Sequence, residues 1–245
     1  KVMIILLFFI GHWYCSLFFQ TFFHHRYAAH KMFTMNKFWE KVCFILSYIT
    51  QGSSYLSPYA YGLLHRLHHA YADTPNDPHS PKYDGNLFNM MWKTKEIYHE
   101  IFTGVANIPK KFYGNLPEWH SFDLFAHNWV SRVLFIIGYI TFYLYFVPDG
   151  QWYWYLLLPF HFATGPIHGA IINWFAHVVG YRNYNLKDTS KNMFPCDLLM
   201  LGESLHNNHH NNPKANFGDK WYEFDPVYPV IWILNKIGII KLRKN

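Results

Sequence analysis

The hydrophobic pattern divides the chain into long apolar runs separated by polar stretches. Three runs are long enough to cross a bilayer as helices, which takes about 20 residues each. They cover residues 2–23, 129–147 and 152–174. Pro148-Asp149-Gly150 separates the second from the third, a turn signal that predicts a helical hairpin. Trp152, Tyr153, Trp154 and Tyr155 follow at once, rings that suit a membrane–water boundary. Residues 38–64 are also apolar, but Gln51-Gly52-Ser53-Ser54 interrupts them and they are too short for two crossings. They read as a helix lying in a cap or dipping into the membrane. Residues 227–240 have apolar positions at helical spacing and lead into Lys241, Arg243 and Lys244, the pattern of an interfacial helix. Residues 75–125 are polar, with several Pro and Gly, and read as cap loops and helices. The predicted fold is all-α. It is a membrane helical bundle of three to four spans, with a helical cap from 24–128 and 175–245, in a single domain over 1–245.

Lysine and arginine give this arrangement a direction. The Pro-Asp-Gly turn carries none, whereas the opposite ends carry Arg26, Lys31, Lys37 and Lys41, then Lys93, Lys95, Lys110 and Lys111, then Arg182, Lys187 and Lys191. By the positive-inside tendency those ends face the cytoplasm. The first run lacks a small-residue cleavage site and reads as a span rather than a signal peptide.

Composition narrows the class. Charged residues are 15% of the chain, against roughly 25% in an ordinary soluble domain. Aromatics are 21%, yet mean hydropathy is near zero, which fits a membrane anchor carrying a polar cap. A net charge of +6 with no dense basic run argues against nucleic acid. Cys15, Cys43 and Cys196 form no close pair, so neither a disulfide framework nor a zinc finger is indicated. There is no G-x-S-x-G, P-loop or dinucleotide G-x-G-x-x-G.

The chemistry sits in the 17 histidines. His25 and His30 form an H-x4-H after the first run. His65, His68 and His69 form an H-x2-H-H, and so do His206, His209 and His210. On an α-helix, positions i, i+3 and i+4 share a face, so each H-x2-H-H presents three imidazoles in one arc. Neutral imidazole is a strong ligand for first-row transition metals. In H-x4-H the second side chain points about 140° away on an α-helix. His25 and His30 are therefore expected to serve different metals, unless the helix breaks between them. One such group arises by chance in a histidine-rich chain; three at the same ends of the spans, with His177 beside them, do not. His12, His161 and His168 lie within spans and read as packed or paired with a polar neighbour. His79, His99, His120 and His127 read as isolated cap histidines. Glu96-x-x-His99 and Glu203-x-x-His206 suggest a carboxylate di-iron bundle. That reading leaves the first two histidine groups unused. Glu203 and Asp77 are instead read as groups that orient ligand histidines.

At these residues the chain resembles the membrane fatty-acid desaturases of the acyl-CoA delta-9 type, especially the short bacterial forms. The matching segments are HRYAAH at 25–30, HRLHHAYADTPNDPHSP at 65–81, NWFAHVVG at 173–180 and GESLHNNHH at 202–210, followed by a family-like tail. The resemblance implies nine histidines around two metals: His25, His30, His65, His68, His69, His177, His206, His209 and His210. It implies that Asn173 holds a metal-bound water. The family usually has one more span ahead of the first one seen here, hence the count of three to four.

The implied activity is an oxygen-dependent desaturase that places a cis double bond in a long-chain fatty-acyl substrate. The implied cofactor is two iron ions, with dioxygen as co-substrate and zinc as a substitute in recombinant material. Removing hydrogen from an unactivated methylene is beyond acid–base groups, and the cofactor supplies that chemistry. Implied partners are an acyl chain on coenzyme A, an acyl-carrier protein or a phospholipid, and an external electron donor such as a ferredoxin or a small b-type cytochrome with its reductase. The implied location is a bacterial inner membrane with the site on the cytoplasmic side. A histidine-box lipid or alkane hydroxylase shares these features. A membrane metal-binding or transport protein is the alternative from another class, but it would carry ligands near mid-bilayer.

Overall fold

The computed structural model describes residues 1–243; Lys244, counted in the basic end above, and Asn245 lie outside the described residues. Helix α1 (Val2–Phe19) continues without a break into a π-helical stretch, Gln20–Ala29, forming one apolar rod of 28 residues. A short strand β1 (Phe33–Met35) leads to α2 (Lys37–Gln51), which starts on the Asn36 side chain accepting from Trp39 N and packs along α1. The chain turns at Gly52–Ser54 and enters α3 (Pro58–Tyr71), with Ser57 as N-cap and Pro58 in the first turn. Then come α4 (Leu87–Thr103), α5 (His120–His127) and α6 (Trp129–Phe146).

The run at 152–174 was expected to be one straight span. It bends by 73° between Trp152–Phe162, a 3₁₀ stretch continuing into α7 (Leu158–Phe162), and Thr164–Val178. The second arm is α8 (Thr164–Ala170), a π-helical turn (Ile171–Phe175) and α9 (Ala176–Val178). Pro166 in α8 and glycines at 165 and 169 lie just past the bend, the residues that weaken a continuous helix. Among the described residues, two helices are long and apolar enough to cross a membrane, or three if the bent pair counts as one. Their outward side chains agree: Met3, Leu7, Ile10, Leu134, Ile137, Leu144 and Tyr145 are all exposed. A water-soluble protein rarely leaves such a surface uncovered.

The remaining elements are α10 (His206–Asn211), α11 (Val227–Lys236) and strand β2 (Ile240–Leu242). The expected helix over 227–240 therefore stops at Lys236. Ile240 and Leu242 pair antiparallel with Met35 and Phe33, a small clasp that hydropathy does not reveal. Beneath it Phe22, Phe23, Phe33, Phe44 and Ile231 form the core that fixes the foot of α1 against the cap.

Candidate metal centre

The nine histidines converge. His25, His30, His65, His69 and His209 form one group, and His68, His177, His206 and His210 a second; within each group one ring nitrogen per residue lies within 4.8 Å of the others. Facing Nε2 atoms are 2.8 Å apart for His30 and His65, 2.9 Å for His65 and His69, 2.8 Å for His69 and His209, and 3.1 Å for His25 and His209. In the second group the separations are 3.3 Å for His68 and His210 and 3.2 Å for His177 and His206.

The expectation that His25 and His30 serve different metals is corrected: both belong to the first group. The helix does not break but changes pitch. His30 N donates to His25 O, an i to i+5 bond of 3.1 Å. In a π-helix residues five apart are stacked neighbours, so H-x4-H becomes a same-face pair.

The sequence between the outer histidines of α10 has its own task. Asn207 Oδ1 accepts from the backbone of Asn183 and Tyr184, and Asn208 Nδ2 donates to Glu223 Oε2 and Phe217 O. Asn192 Oδ1 accepts from Asn207 N. The two asparagines thus tie the far side of the helix to the cap while the histidines point inward. The preceding loop is pinned by Asp197, which accepts from the backbone of Met200, Gly202 and Ser204.

Carboxylates surround the rings. His25 Nδ1 lies 2.5 Å from Glu203 Oε2, His68 Nδ1 2.8 Å from Asp77 Oδ1, and His210 Nδ1 3.1 Å from Asp188 Oδ2. His177 Nδ1 is 3.1 Å from Thr189 Oγ1, which itself donates to Asp73 Oδ2. Glu203 and Asp77 were anticipated as orienting groups. Asp73 and Asp188 were not: Asp188 lies in an irregular loop far from any histidine group in sequence, and no periodicity flags it. Burial alone would raise the Asp73 carboxyl, but the nearby His177 ring and hydrogen bonds from Ser80 and Thr189 bring it well below the usual range. Burial, then repulsion from neighbouring imidazoles, holds His65, His206, His209 and His210 well below their ordinary value, so these rings are neutral.

This arrangement fits metal ions. His68 and His210 each direct Nδ1 at a carboxylate, which assigns the ring proton to that side. Their Nε2 atoms are left facing each other at 3.3 Å, as two nitrogen donors to one cation would. Four carboxylates around the rings also supply the formal charge that two divalent cations would balance.

Asn173 sits in the π-helical turn after α8 and lines a cavity of about 590 Å³ together with His65 and His79. The walls are mostly apolar, with Leu64, Met91 and Trp92 among them, and Lys95, His99 and Arg132 also on its surface. His79, read from sequence as an isolated cap residue, is instead 2% exposed and stacks on His68 at 4.2 Å, with neither ring nitrogen partnered. Glu96 and His99 do not reach the histidine groups; Glu96 accepts from Trp92 Nε1 on the exposed side of α4, so no carboxylate bundle forms there. His12 and His161 pair inside the apolar bundle, Nδ1 to Nδ1 at 2.6 Å, and Tyr143 OH reaches His161 Nε2 at 2.9 Å.

The fatty acid desaturase family model matches residues 2–233. The chain belongs to the fatty acid desaturase family. It is 29% identical over 89% of its length to the Delta-9 desaturase-like 2 protein of Arabidopsis thaliana, covering 70% of that protein. It is 29% identical to the sn-1 stearoyl-lipid 9-desaturase of Synechocystis sp., over 89% of this chain and 64% of the relative. It is 28% identical to the hex-5-enoyl-[acyl-carrier protein] acetylenase of Moorena producens, over 94% of this chain and 74% of the relative. Membership makes it a membrane-associated desaturase-family oxidoreductase of fatty-acyl metabolism, with histidine clusters able to hold metal.

Proposed function

We propose that this desaturase introduces a cis double bond into a long-chain fatty-acyl substrate at two iron ions held by the nine histidines, using dioxygen. The observation that carries the reading is the convergence of five and four imidazoles beside an apolar cavity that His65 and Asn173 also line. Iron at this centre would supply the oxidising power needed to remove hydrogen from an unactivated methylene, with electrons from an external donor such as a ferredoxin or a small b-type cytochrome.

The chain's own residues do the rest. Glu203, Asp77, Asp73 and Asp188 fix the rings whose Nδ1 atoms they face or, for Asp73, face through Thr189, and raise their strength as ligands. Asn173, on the cavity wall, would hold a metal-bound water. The cavity walls hold an alkyl chain against the cluster and keep water away. The names of the relatives support a substrate carried on a lipid or an acyl-carrier protein. The lysine and arginine distribution supports a cytoplasmic site, in keeping with a bacterial inner membrane.

The test is His68→Ala, expressed in a host whose fatty acids are profiled by mass spectrometry. The wild-type chain should yield oxygen-dependent products lighter by two hydrogens, and the variant none while still inserting into membranes. Products heavier by one oxygen would make the chain a hydroxylase. Full activity in the variant would end the proposal.

A further inference from the structure

The cavity beside the histidines is bounded on one side by the cap helix α4 and on the other by α8. Two glycines, Gly165 and Gly169, stand on the α8 wall, and the second faces Met91 of α4. A Cβ placed on Gly169 would lie 3.9 Å from Met91 Cε and 3.8 Å from Asn173 Nδ2, in ordinary contact with both at once. One added carbon would therefore bridge the gap, and a larger side chain would fill it.

Backbone and packing do not call for glycine here. Position 169 lies inside α8 with no left-handed backbone angle, and nothing comes closer than 3.8 Å to the added carbon. Gly165, one turn earlier, is different: its Cβ would come within 3.2 Å of Ser54 O, and its N–H donates to Ser54 Oγ, so close packing explains it. Glycine in a helix interior destabilises relative to alanine. At 169 that cost is offset by neither a turn nor a tight contact. What it leaves is open space next to Asn173 and on the same cavity as His79, whose unpartnered, buried ring marks the polar end.

We propose that Gly169 and Met91 together set the bore of the acyl cavity at the metal centre, so that the alkyl chain reaches the histidines because position 169 has no side chain. This rests on the desaturase reading above. Met91 suits the opposite wall because its unbranched thioether can follow a passing chain.

The experiment uses the full chain in a host lacking its own desaturase, fed saturated fatty acids from laurate to stearate, with cis-monoenes measured by mass spectrometry. Gly169→Val should lower monoene formation by roughly tenfold or more for all chain lengths, since a side chain in the path of the alkyl chain shifts the reacting carbons, and a small misplacement costs rate steeply. Metal per chain and thermal unfolding of the purified variant should not fall, which separates a bore from a structural role. Met91→Ala in the Gly169→Val background should restore most of the activity by reopening the gap from the cap side. Wild-type turnover in Gly169→Val overturns the proposal, and so does a loss that Met91→Ala leaves untouched. Should Gly169→Val fail to accumulate, Met91→Phe narrows the same gap and must give the same loss with full metal content. A wild-type chain that binds metal but forms no monoene removes the desaturase reading itself, and this inference with it.

Discussion

Glu203 Oε2 stands 2.5 Å from His25 Nδ1, so a residue three places before the third histidine group orients a ring of the first. Glu203 is also held by the Thr21 hydroxyl, which fixes its second oxygen. Burial would raise this carboxyl, but His25, Arg26 and Thr21 pull it below its usual value, so it stays charged. Replacing it by Gln keeps the shape and removes the charge. Glu203→Gln should weaken metal binding by about 10- to 100-fold, the usual effect of losing such a partner. Metal retention against a competing chelator measures it; unchanged retention would show that Glu203 only packs.

Asp77 and Asp188 each face a histidine of the second group, but their surroundings differ. The Asp77 side chain is fully buried and also accepts from Asp73 N and His79 N, whereas Asp188 is 14% exposed at the side chain. Asp77→Asn should therefore lose both metal and stability, and Asp188→Asn should mainly lose metal. Metal analysis combined with thermal unfolding in detergent distinguishes the two. Equal loss of stability in both variants would contradict the ranking.

Arg26 and Asp225 form a fully buried bidentate pair, with Nη1 to Oδ2 at 2.7 Å and Nη2 to Oδ1 at 3.0 Å. Gly202 lies against it with φ of +92°, and a Cβ there would collide with Asp225 Oδ1 and come 3.0 Å from Arg26 Nη2. Asp225→Asn leaves the guanidinium charge buried without its partner and should cost about 3–5 kcal/mol. Gly202→Ala should cost roughly 2 kcal/mol or more, from backbone strain and displacement of the pair together. Chemical denaturation of the purified protein tests both; a stable Asp225→Asn would mean that another group neutralises Arg26.

The neutral rings imply a pH dependence in metal-stripped protein. Burial holds His30, His65, His69, His206, His209 and His210 below their ordinary value in the fold, whereas the unfolded chain titrates them near about 6.5. Below that pH the unfolded state binds more protons than the folded one, so stability falls as pH drops and levels off above about 7. Metal should flatten the slope, since occupied rings cannot take protons. Unfolding midpoints from neutral pH into the acid range, with and without metal, would show it. An apo protein as stable in mild acid as at neutrality would mean that the rings are already charged.

Much of the site was legible because its signals are local. Three-and-four spacing on a helix brings His65, His68 and His69 to one face without help from the rest of the chain, and the same holds for His206, His209 and His210. Glu203 could be read because it sits one turn from His206. The pairing of His25 with His30 could not: it depends on a π-helical pitch, which an α-helical count places on opposite faces. Asp188 was invisible because its loop reaches His210 through hydrogen bonds made by Asn207 and its neighbours, with no repeat in the sequence.

The sequence by itself determined the helical class, the apolar runs, the imidazole donors and the family. These rest on periodicity and side-chain chemistry, which are properties of short stretches. The tertiary structure alone decided which histidine joins which group, where the 73° bend falls, that β1 and β2 clasp the cap, and how wide the cavity is at Gly169. Each of these depends on distances between segments far apart in the chain, and such distances come into being only when the helices pack.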